Sequence, residues 1–391
     1  MLNNERLNTQ WQQPVWHSET QLSEIVEVIK ILPPLVNFED VDSLYSQLEK
    51  VWNREAIILQ AGDCAERFTD SNYQSVSDKL KCLSELSLEL AHLTQKEVIS
   101  VGRIAGQFAK PRSNILELVG NLELPVWRGD NVNGFDQCKI ARVHDPKRLY
   151  QSYKVSATTI DHIKDIAFDN GKVWMSHEAL LLDYERSSVR ISKSERRYLS
   201  STHWPWIGVR TLAPGSPHVD FLAQLYNPIA CKVSSEISPH FIKELCHRLN
   251  PEHRPGRLTL IARFGRNRVQ DLQPILEAVL QTNIPVIWMC DPMHGNTSIC
   301  NKGYKVRRTE DLVAEIEAFN LLLAKYGACN GGLHFETKTG STPECFGIGI
   351  EPTDNELSQI ECDPRLTQFQ AMHVLRCWAI TYGYRQQALN G

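Results

Sequence analysis

The sequence predicts a (β/α)8 barrel, because eight short apolar runs recur along its 391 residues, helix-length segments separate them, and reactive side chains follow several of them. Near-continuous apolar runs are typical of strands covered on both faces, and helix-length connections make neighbouring strands parallel. Eight parallel strands of this kind close into a barrel. The runs are AIILQ (56–60), VISVG (98–102), KVWMS (172–176), WPWIG (204–208), ACKVS (230–234), LTLIA (258–262), PVIWMC (285–290) and GLHF (332–335).

Two connecting segments, 78–93 and 269–282, carry apolar stripes at helical spacing, which predicts that they are barrel helices. The stripe positions are Leu83, Leu86, Leu90 and Leu93 in the first segment and Leu272, Ile275, Leu276 and Val279 in the second.

Residues 1–50 precede the first predicted strand and carry Trp11, Trp16, Pro33 and Pro34. We expect them to form an extension that packs on the barrel's mouth or base or against another subunit. Residues 51–391 then form the catalytic barrel domain, because no internal repeat or low-complexity linker marks a second domain.

Composition narrows the classes of partner. The formal charge is −4, from 42 basic and 46 acidic residues, so no overall field attracts nucleic acid or an anionic membrane. The first ten residues lack a secretory apolar core, and no apolar run is long enough to cross a bilayer. Eleven cysteines without a CxxC pair indicate neither a disulfide framework nor a zinc ribbon. We expect a cytoplasmic homo-oligomer.

In such barrels the active site lies at the carboxyl ends of the strands. Cys64, His294 and Glu336 follow predicted strands, and Asp363 lies further along in CDPRL. A thiolate, an imidazole and two carboxylates suit one divalent ion, and this mixture of ligands leaves its identity open among manganese, cobalt, iron and zinc. Each residue alone is more often a core side chain or a turn residue, and only the placement beyond strand ends favours a metal site.

A second set of residues is cationic and also lies at or just past strand ends. A mildly acidic protein that gathers such charge at one face is predicted to bind phosphate or carboxylate groups there. Lys232 and Arg263 adjoin apolar runs, where a buried cation needs an anionic partner. The set is Arg103, Lys110, Arg112, Arg210, Lys232 and Arg263.

Three other segments are weaker signals. His334 shares a strand face with Glu336, so it either orients a metal ligand or is a satisfied core histidine. SHEALLLDYE (176–185) is interpreted as packing without a catalytic role. GRIAGQ (102–107) lacks the GxGxxG spacing of a dinucleotide site.

The ordered motifs resemble the class II 3-deoxy-D-arabino-heptulosonate 7-phosphate (DAHP) synthases, which open the shikimate route to the aromatic amino acids. The resemblance covers nearly the whole barrel. STHWPWIG, NPIACKV and the modest length are most similar to short members found in phenazine-type secondary metabolism. Longer members carry an extra inhibitor-binding helical segment that this chain lacks. The motifs are AGDCAE (61–66), VGRIAGQFAKPRS (101–113), RGDNVNGF (128–135), SHEALLLDYE, STHWPWIG (201–208), NPIACKV (227–233), GRLTLIARFG (256–265), DPMHGNT (291–297), GLHFET (332–337) and CDPRL (362–366).

The resemblance implies a metal-dependent condensation of phosphoenolpyruvate with erythrose 4-phosphate that gives DAHP and phosphate. It implies the metal ligands Cys64, His294, Glu336 and Asp363, and a Cys362 close enough to Cys64 to pair with it on oxidation. The phosphoenolpyruvate contacts are Arg103, Arg210, Lys232 and Arg263. Lys110 bridges towards the aldehyde and protonates the new alkoxide, and Arg112, Ser113 and Lys305 meet the aldehyde's phosphate.

Three departures from the family pattern lie on the phosphoenolpyruvate side. Val209 stands where the family usually has Glu, Ser234 and Ser235 stand in place of Gly-Pro, and the loop 211–219 is less polar. In addition, Arg266 and Arg268 stand where the family commonly has smaller or different polar groups. The departures fit a working synthase, a pathway-specific paralogue with another acceptor such as an imine and an aminoDAHP-like product, or a non-catalytic subunit. Because all four implied metal ligands are present, the hypothesis of a non-catalytic subunit ranks last.

Overall fold

A computed structural model describes residues 11–166 and 171–389, and side chains as far as residue 383. Eight parallel strands form a closed barrel in which each strand neighbours the next one along the chain, and the last pairs with the first. The (β/α)8 fold class is therefore confirmed. The barrel strands are β1 (Ala56–Gly62), β2 (Glu97–Arg103), β5 (Trp174–Glu178), β8 (Trp204–Ile207), β9 (Ile229–Val233), β10 (Leu258–Ala262), β11 (Val286–Cys290) and β14 (Cys329–His334).

Within the described residues, three two-stranded hairpins interrupt the connections between barrel strands. They are β3 (Leu116–Val119) with β4 (Leu122–Pro125), β6 (Val189–Ile191) with β7 (Arg197–Leu199), and β12 (Ser298–Ile299) with β13 (Lys305–Val306). The first and third follow β2 and β11 and therefore stand at the carboxyl-terminal mouth of the barrel.

The helices are α1 (Glu19–Ile31), α2 (Phe38–Trp52), α3 (Tyr73–Thr94), α4 (Lys147–Asp165), α5 (Leu182–Ser187), α6 (Pro217–Leu222), α7 (Pro239–Leu249), α8 (Leu272–Leu280), α9 (Thr309–Tyr326), α10 (Asp354–Ser358) and α11 (Gln368–Leu389). Both predicted leucine-rich helices exist, as α3 and α8. All stripe residues of α8 are buried, whereas Leu93 near the end of α3 is 39% exposed, contrary to the predicted stripe. The leucine stripe of α3 becomes exposed to solvent in the last turn, where the helix ends.

The barrel encloses an apolar core to which α2 contributes. Leu44, Leu48 and Val51 of α2 pack with Trp174, Trp204 and other inward-facing strand residues. Burying each such leucine stabilises the fold by about 1.5–3 kcal/mol. Helix α2 thus closes the amino-terminal end of the barrel, while most strand-to-helix packing forms a second, outer cluster.

The segment before α2 packs on the other side of the molecule. Trp16 and Ile29 join residues that follow β2 and β5, namely Ala109, Leu180 and Leu181. The extension therefore contacts both the mouth and the base of the barrel, and helix α2 crosses the predicted boundary at residue 50, which stays a prediction. The first ten residues, predicted to lack a secretory core, lie outside the described ranges. No helix within those ranges is long and apolar enough to span a bilayer.

Candidate active site

A cavity of about 810 Å3 opens at the carboxyl ends of the barrel strands. Every residue that the sequence singled out as a metal ligand or substrate contact lines it, so the structure brings both predicted sets together. They are Cys64, Arg103, Lys110, Arg112, Ser113, Arg210, Lys232, Arg263, His294, Lys305, Glu336 and Asp363.

His294 and Glu336 form one half of the predicted metal set. His294 Nε2 lies 3.0 Å from Glu336 Oε1, and His294 Nδ1 lies 2.7 Å from Asp291 Oδ2. A carboxylate on one ring nitrogen of a histidine fixes the tautomer and directs the other nitrogen to a ligand position. Asp291 therefore points His294 Nε2 towards Glu336.

Glu336 is buried and held by two guanidinium groups. Arg307 Nη1 donates to its Oε2 at 2.8 Å, and Arg103 Nη2 donates to its Oε1 at 3.2 Å. Burial raises the pKa of Glu336, but the positive charges of His294, Arg307 and Arg103 outweigh burial and hold the pKa well below its usual value. Glu336 therefore stays ionised inside the barrel.

Cys64 and Asp363 form the other half of the set. Cys64 Sγ lies 3.6 Å from Asp363 Oδ2, and Lys110 Nζ donates to both atoms at 2.8 Å. Burial opposes the ionisation of Asp363, yet the charge of Lys110 holds the pKa of Asp363 below its ordinary range. An ammonium group thus joins the thiol to the carboxylate.

Cys362 adjoins Cys64, as the family resemblance implies. A hydrogen bond between the two thiols, together with burial, raises the pKa of Cys64 well above its usual value, and the same bond lowers the pKa of Cys362. Both cysteines are free thiols here. Their pairing on oxidation stays a prediction.

The predicted metal ligands suit a divalent ion in their chemistry and in their outer contacts, because His294 and Glu336 are each fixed by a charged partner. They lie in the two pairs just described. Within the described ranges no three His, Cys, Asp or Glu side chains are close enough to hold an ion together. Binding an ion across both pairs requires Lys110 to leave its place between Cys64 and Asp363, and Cys64 to lose its proton.

The cationic residues differ in how far their charge is already compensated. Lys232 Nζ donates to Asp291 at 2.8 Å, and burial lowers its pKa. Among the described residues Arg210 donates to Ser113 Oγ alone, at 2.9 Å, and Arg263 donates to the carbonyl oxygen of His294 at 3.1 Å. The buried Nε of Arg263 has no partner in the described part of the chain. Arg210 and Arg263 are therefore the cations best placed to receive an anion.

Glu178 is a site residue that the sequence interpretation missed when it assigned 176–185 to packing. It lines the cavity, and its Oε1 is buried without a hydrogen-bond partner among the described residues. Burial raises the pKa of Glu178, although Lys232 and Arg210 oppose the change. The backbone of Gly208 passes against this carboxyl group, since a Cβ on Gly208 would lie 2.0 Å from Oε1. The alternation of β5, which aims Ser176 and Glu178 to one side, was the available signal.

His334 contacts Arg103 and Gln60, not the metal set. Its Nε2 lies 2.6 Å from Arg103 Nη1 and its Nδ1 lies 2.6 Å from Gln60 Oε1. Of the two interpretations of His334, the satisfied core histidine fits, and its contact with Arg103 orients that guanidinium.

Glu315 of α9 joins the two loops that carry Arg263 and His294. Its Oε1 accepts from the backbone N–H groups of Phe264 and Gly265 at 2.8 Å, and its Oε2 accepts from Asn296 Nδ2 at 2.7 Å. A Cβ on Gly265, whose φ is +79°, would lie 2.4 Å from the carbonyl oxygen of Gly295. The loops therefore touch directly, and the buried carboxyl group links them from below.

Replacing Glu315 with glutamine is expected to change how stability depends on pH. Burial raises the pKa of Glu315 from 4.5 to about 7. The folded chain holds this proton more tightly than the unfolded chain, so the stabilisation is complete below pH 4.5 and is lost as the pH rises through 7. Between these limits the wild type should lose about 3 kcal/mol of unfolding free energy relative to Glu315→Gln. Urea unfolding at several pH values measures the difference, and parallel profiles for the two proteins would contradict it.

The model of the class II DAHP synthetase family matches residues 2–172 and 164–378. The chain belongs to this family. A probable phospho-2-dehydro-3-deoxyheptonate aldolase of Pseudomonas fluorescens is 41% identical over 376 residues, which cover 94% of this chain and 94% of that protein. The phospho-2-dehydro-3-deoxyheptonate aldolase of Streptomyces coelicolor is 32% identical over 431 residues, which cover 96% and 95%. The predicted family and enzyme type are thus confirmed.

Among solved structures, a phospho-2-dehydro-3-deoxyheptonate aldolase of Francisella tularensis matches with a TM-score of 0.56 at 13% identity, covering 93% of this chain and 97% of that one. At this identity the match shows the barrel fold alone. The special similarity to short members of secondary pathways stays a prediction.

Proposed function

We propose that the protein condenses phosphoenolpyruvate with erythrose 4-phosphate in a metal-dependent reaction that gives DAHP and phosphate. One observation carries the proposal. A single cavity in a member of the DAHP synthetase family contains a thiol, an imidazole and two carboxyl groups beside two cations, Arg210 and Arg263, that pair with no carboxylate among the described residues.

Phosphoenolpyruvate carries a phosphate and a carboxylate, which match the uncompensated cations. Arg210 and Arg263 supply forked donors for these groups, with Lys232 and Arg103 behind them. The buried and unpaired Nε of Arg263 supports this assignment, because a bound oxyanion would satisfy it.

The aldehyde end is assigned to the side of the cavity that contains Lys110. Lys305 lies on that side, because it and Lys110 both donate to Asp363. Arg112, Ser113 and Lys305 are assigned to the aldehyde's phosphate, and Ser113, which accepts from Arg210, stands between the two substrates. Lys110 remains protonated, since burial lowers its pKa but the surrounding negative groups raise it well above the usual value. It can donate a proton to the aldehyde oxygen while C3 of phosphoenolpyruvate bonds to the aldehyde carbon.

Cys64, His294, Glu336 and Asp363 are the proposed ligands of a divalent ion, with manganese as the first choice. When bound, such an ion acts as a Lewis acid on the aldehyde oxygen. The chain itself keeps Glu336 ionised and His294 oriented for this role.

Glu178 is the proposed acceptor for the proton of the water that adds at C2. Its Oε1 has no hydrogen-bond partner among the described residues, and its raised pKa makes the carboxylate a stronger proton acceptor than an ordinary glutamate. Water addition at C2 is followed by loss of phosphate, which leaves the keto group of the product. The family usually has a glutamate at the position of Val209, immediately before Arg210. In this chain that second carboxyl group is missing, and Glu178 is the carboxyl group assigned to this step.

An acceptor screen tests the proposal. Phosphate release from phosphoenolpyruvate is followed with erythrose 4-phosphate, with other aldoses and with an imine acceptor, each with manganese and after metal removal. We expect release with erythrose 4-phosphate that stops when metal is removed. Phosphate release only with another acceptor would establish the hypothesis of a pathway-specific paralogue. Metal binding without phosphate release for any acceptor would favour the hypothesis of a non-catalytic subunit.

Replacing Arg210 with alanine is expected to raise the KM for phosphoenolpyruvate about 100-fold, since one charge-assisted hydrogen bond contributes about 1.5–3 kcal/mol. Steady-state kinetics at fixed aldehyde measure the change. Arg266→Ala is the matched control, because Arg266 already pairs with Asp311 outside the cavity. Equal KM values for the two variants would contradict the assignment.

Three expectations stay predictions: the boundary between extension and barrel domain at residue 50, a homo-oligomeric assembly and a cytoplasmic location. The assignment of the site uses none of them.

A further inference from the structure

A second pocket lies at the opposite end of the barrel from the candidate active site. It has a volume of about 240 Å3 and is formed by the start of β7, the turn between α6 and β9, and the turn between α7 and β10. These segments lead into the amino ends of strands, whereas the active site lies beyond the carboxyl ends. The pocket therefore belongs to a different face of the protein.

Four arginines line this pocket and face a single acidic residue. Glu252 is the acidic residue, and none of the four guanidinium groups forms an ion pair with it or with any other carboxylate in the described part of the chain. The formal charge of the whole chain is −4, so a local excess of three positive charges is not a general feature of this surface. The arginines are Arg196, Arg197, Arg254 and Arg257.

Arg257 carries a buried positive charge that no carboxylate among the described residues pairs with. It is 8% exposed, and its Nε donates to the carbonyl oxygen of Leu249 at 3.0 Å while its Nη groups donate to the carbonyl oxygens of Asn227 and Leu222. Burial, with a smaller effect of Arg254, lowers the pKa of Arg257 to about 10. Backbone carbonyls satisfy the donors but leave the charge uncompensated.

Two other arginines are held in place by tyrosine rings. The guanidinium carbon of Arg254 lies 4.2 Å from the ring centroid of Tyr45 and 5.2 Å from that of Tyr226, and that of Arg196 lies 4.8 Å from Tyr226. Stacking fixes a guanidinium without neutralising it. Arg254 Nη2 also donates to Tyr226 Oη at 3.4 Å, and the described residues give the other side-chain donors of Arg254 and Arg196 no acceptor. The pocket is therefore ordered before any ligand binds.

From these contacts we infer that the pocket is a binding site for a small dianion that carries phosphate or paired carboxylate groups. The two ring-held guanidinium forks of Arg196 and Arg254 match the oxygen geometry of these groups, and the buried charge of Arg257 adds attraction for an anion. The volume lies below the range of about 300–1,000 Å3 that holds drug-sized ligands, which selects a compact anion. The inference is independent of the reaction proposed for the opposite face.

Calorimetric titration of the full chain with inorganic pyrophosphate at 0.15 M salt tests the inference, at an ionic strength that screens weak surface attraction. Arg196→Gln/Arg254→Gln removes two charges from the pocket. Arg268→Gln/Arg376→Gln removes two exposed charges elsewhere and is the matched control. We expect the pocket variant to bind one pyrophosphate fewer per chain than the wild type and the control do, and each single pocket variant to bind about tenfold more weakly at that site.

A parallel titration with malonate distinguishes a phosphate ligand from a dicarboxylate ligand. Loss of binding of either probe in the pocket variant supports the site, and the probe that is lost identifies the class of ligand. Equal stoichiometry and affinity in wild type, pocket variants and control for both probes would overturn the inference. Thermal unfolding of each protein shows whether the variant is folded. The single variants supply the comparison if the double variant is not.

Discussion

Replacing Lys110 with methionine is expected to lower kcat for phosphate release from phosphoenolpyruvate about 10³-fold, the range for loss of a positioned proton donor. Methionine keeps the length of the side chain but removes the ammonium group that bonds to both Cys64 Sγ and Asp363 Oδ2. The KM for phosphoenolpyruvate should change little, because the cations assigned to that substrate are other residues. Steady-state kinetics in both substrates measure the two parameters.

Lys305→Met is the matched control for this change. Lys305 also pairs with Asp363, at 2.6 Å, but its side chain is about half exposed and it is assigned to binding alone. We expect Lys305→Met to raise the KM for the aldehyde and to leave kcat nearly unchanged. A Lys110→Met enzyme that retains wild-type kcat would remove Lys110 from the chemistry.

Replacing Arg307 with methionine is expected to lower the free energy of unfolding by about 3–5 kcal/mol, because it removes a cationic partner from the buried carboxylate of Glu336. Arg307 and Glu336 are both fully buried, and Arg307 Nε also donates to Thr297 Oγ1 at 2.8 Å. Urea unfolding at neutral pH measures the loss.

Arg308→Met serves as the control, since the neighbouring Arg308 is exposed and contacts the ring of Phe346. We expect it to cost less than about 1 kcal/mol. In the Arg307→Met background, Glu336→Gln should lower the free energy of unfolding by less than it does in the wild type. Strictly additive losses would show that the two side chains do not stabilise each other.

The sequence predicted the barrel well because its strands are buried on both faces. LTLIA at 258–262 forms β10 with the same bounds, and the other predicted strands differ from the structure by one to three residues at an end. KVWMS was placed two residues too early, since strand β5 runs on through the polar residues His177 and Glu178. Polar residues at the end of a strand look like the start of a loop when the cavity that they face is unknown.

The residues predicted for the site all line one cavity, whereas their contacts could not be predicted. Position beyond a strand end identified residues such as His294 and Arg263. Sequence could not show that Lys110 lies between Cys64 and Asp363, because that contact joins segments far apart in the chain. Arg307 and Glu315 were missed for the same reason: their charges are explained only by buried partners that folding brings near.

The most direct test of the central claim measures bound manganese per chain together with turnover. Wild type and the variants Cys64→Ser, His294→Gln and Asp363→Asn are dialysed against Mn²⁺, and metal content is read by elemental analysis. We predict one ion per wild-type chain, a large loss of binding in each variant and turnover proportional to bound metal. Undiminished turnover in stripped enzyme, or full metal content in all three variants, would contradict the claim that these side chains hold one ion for the reaction.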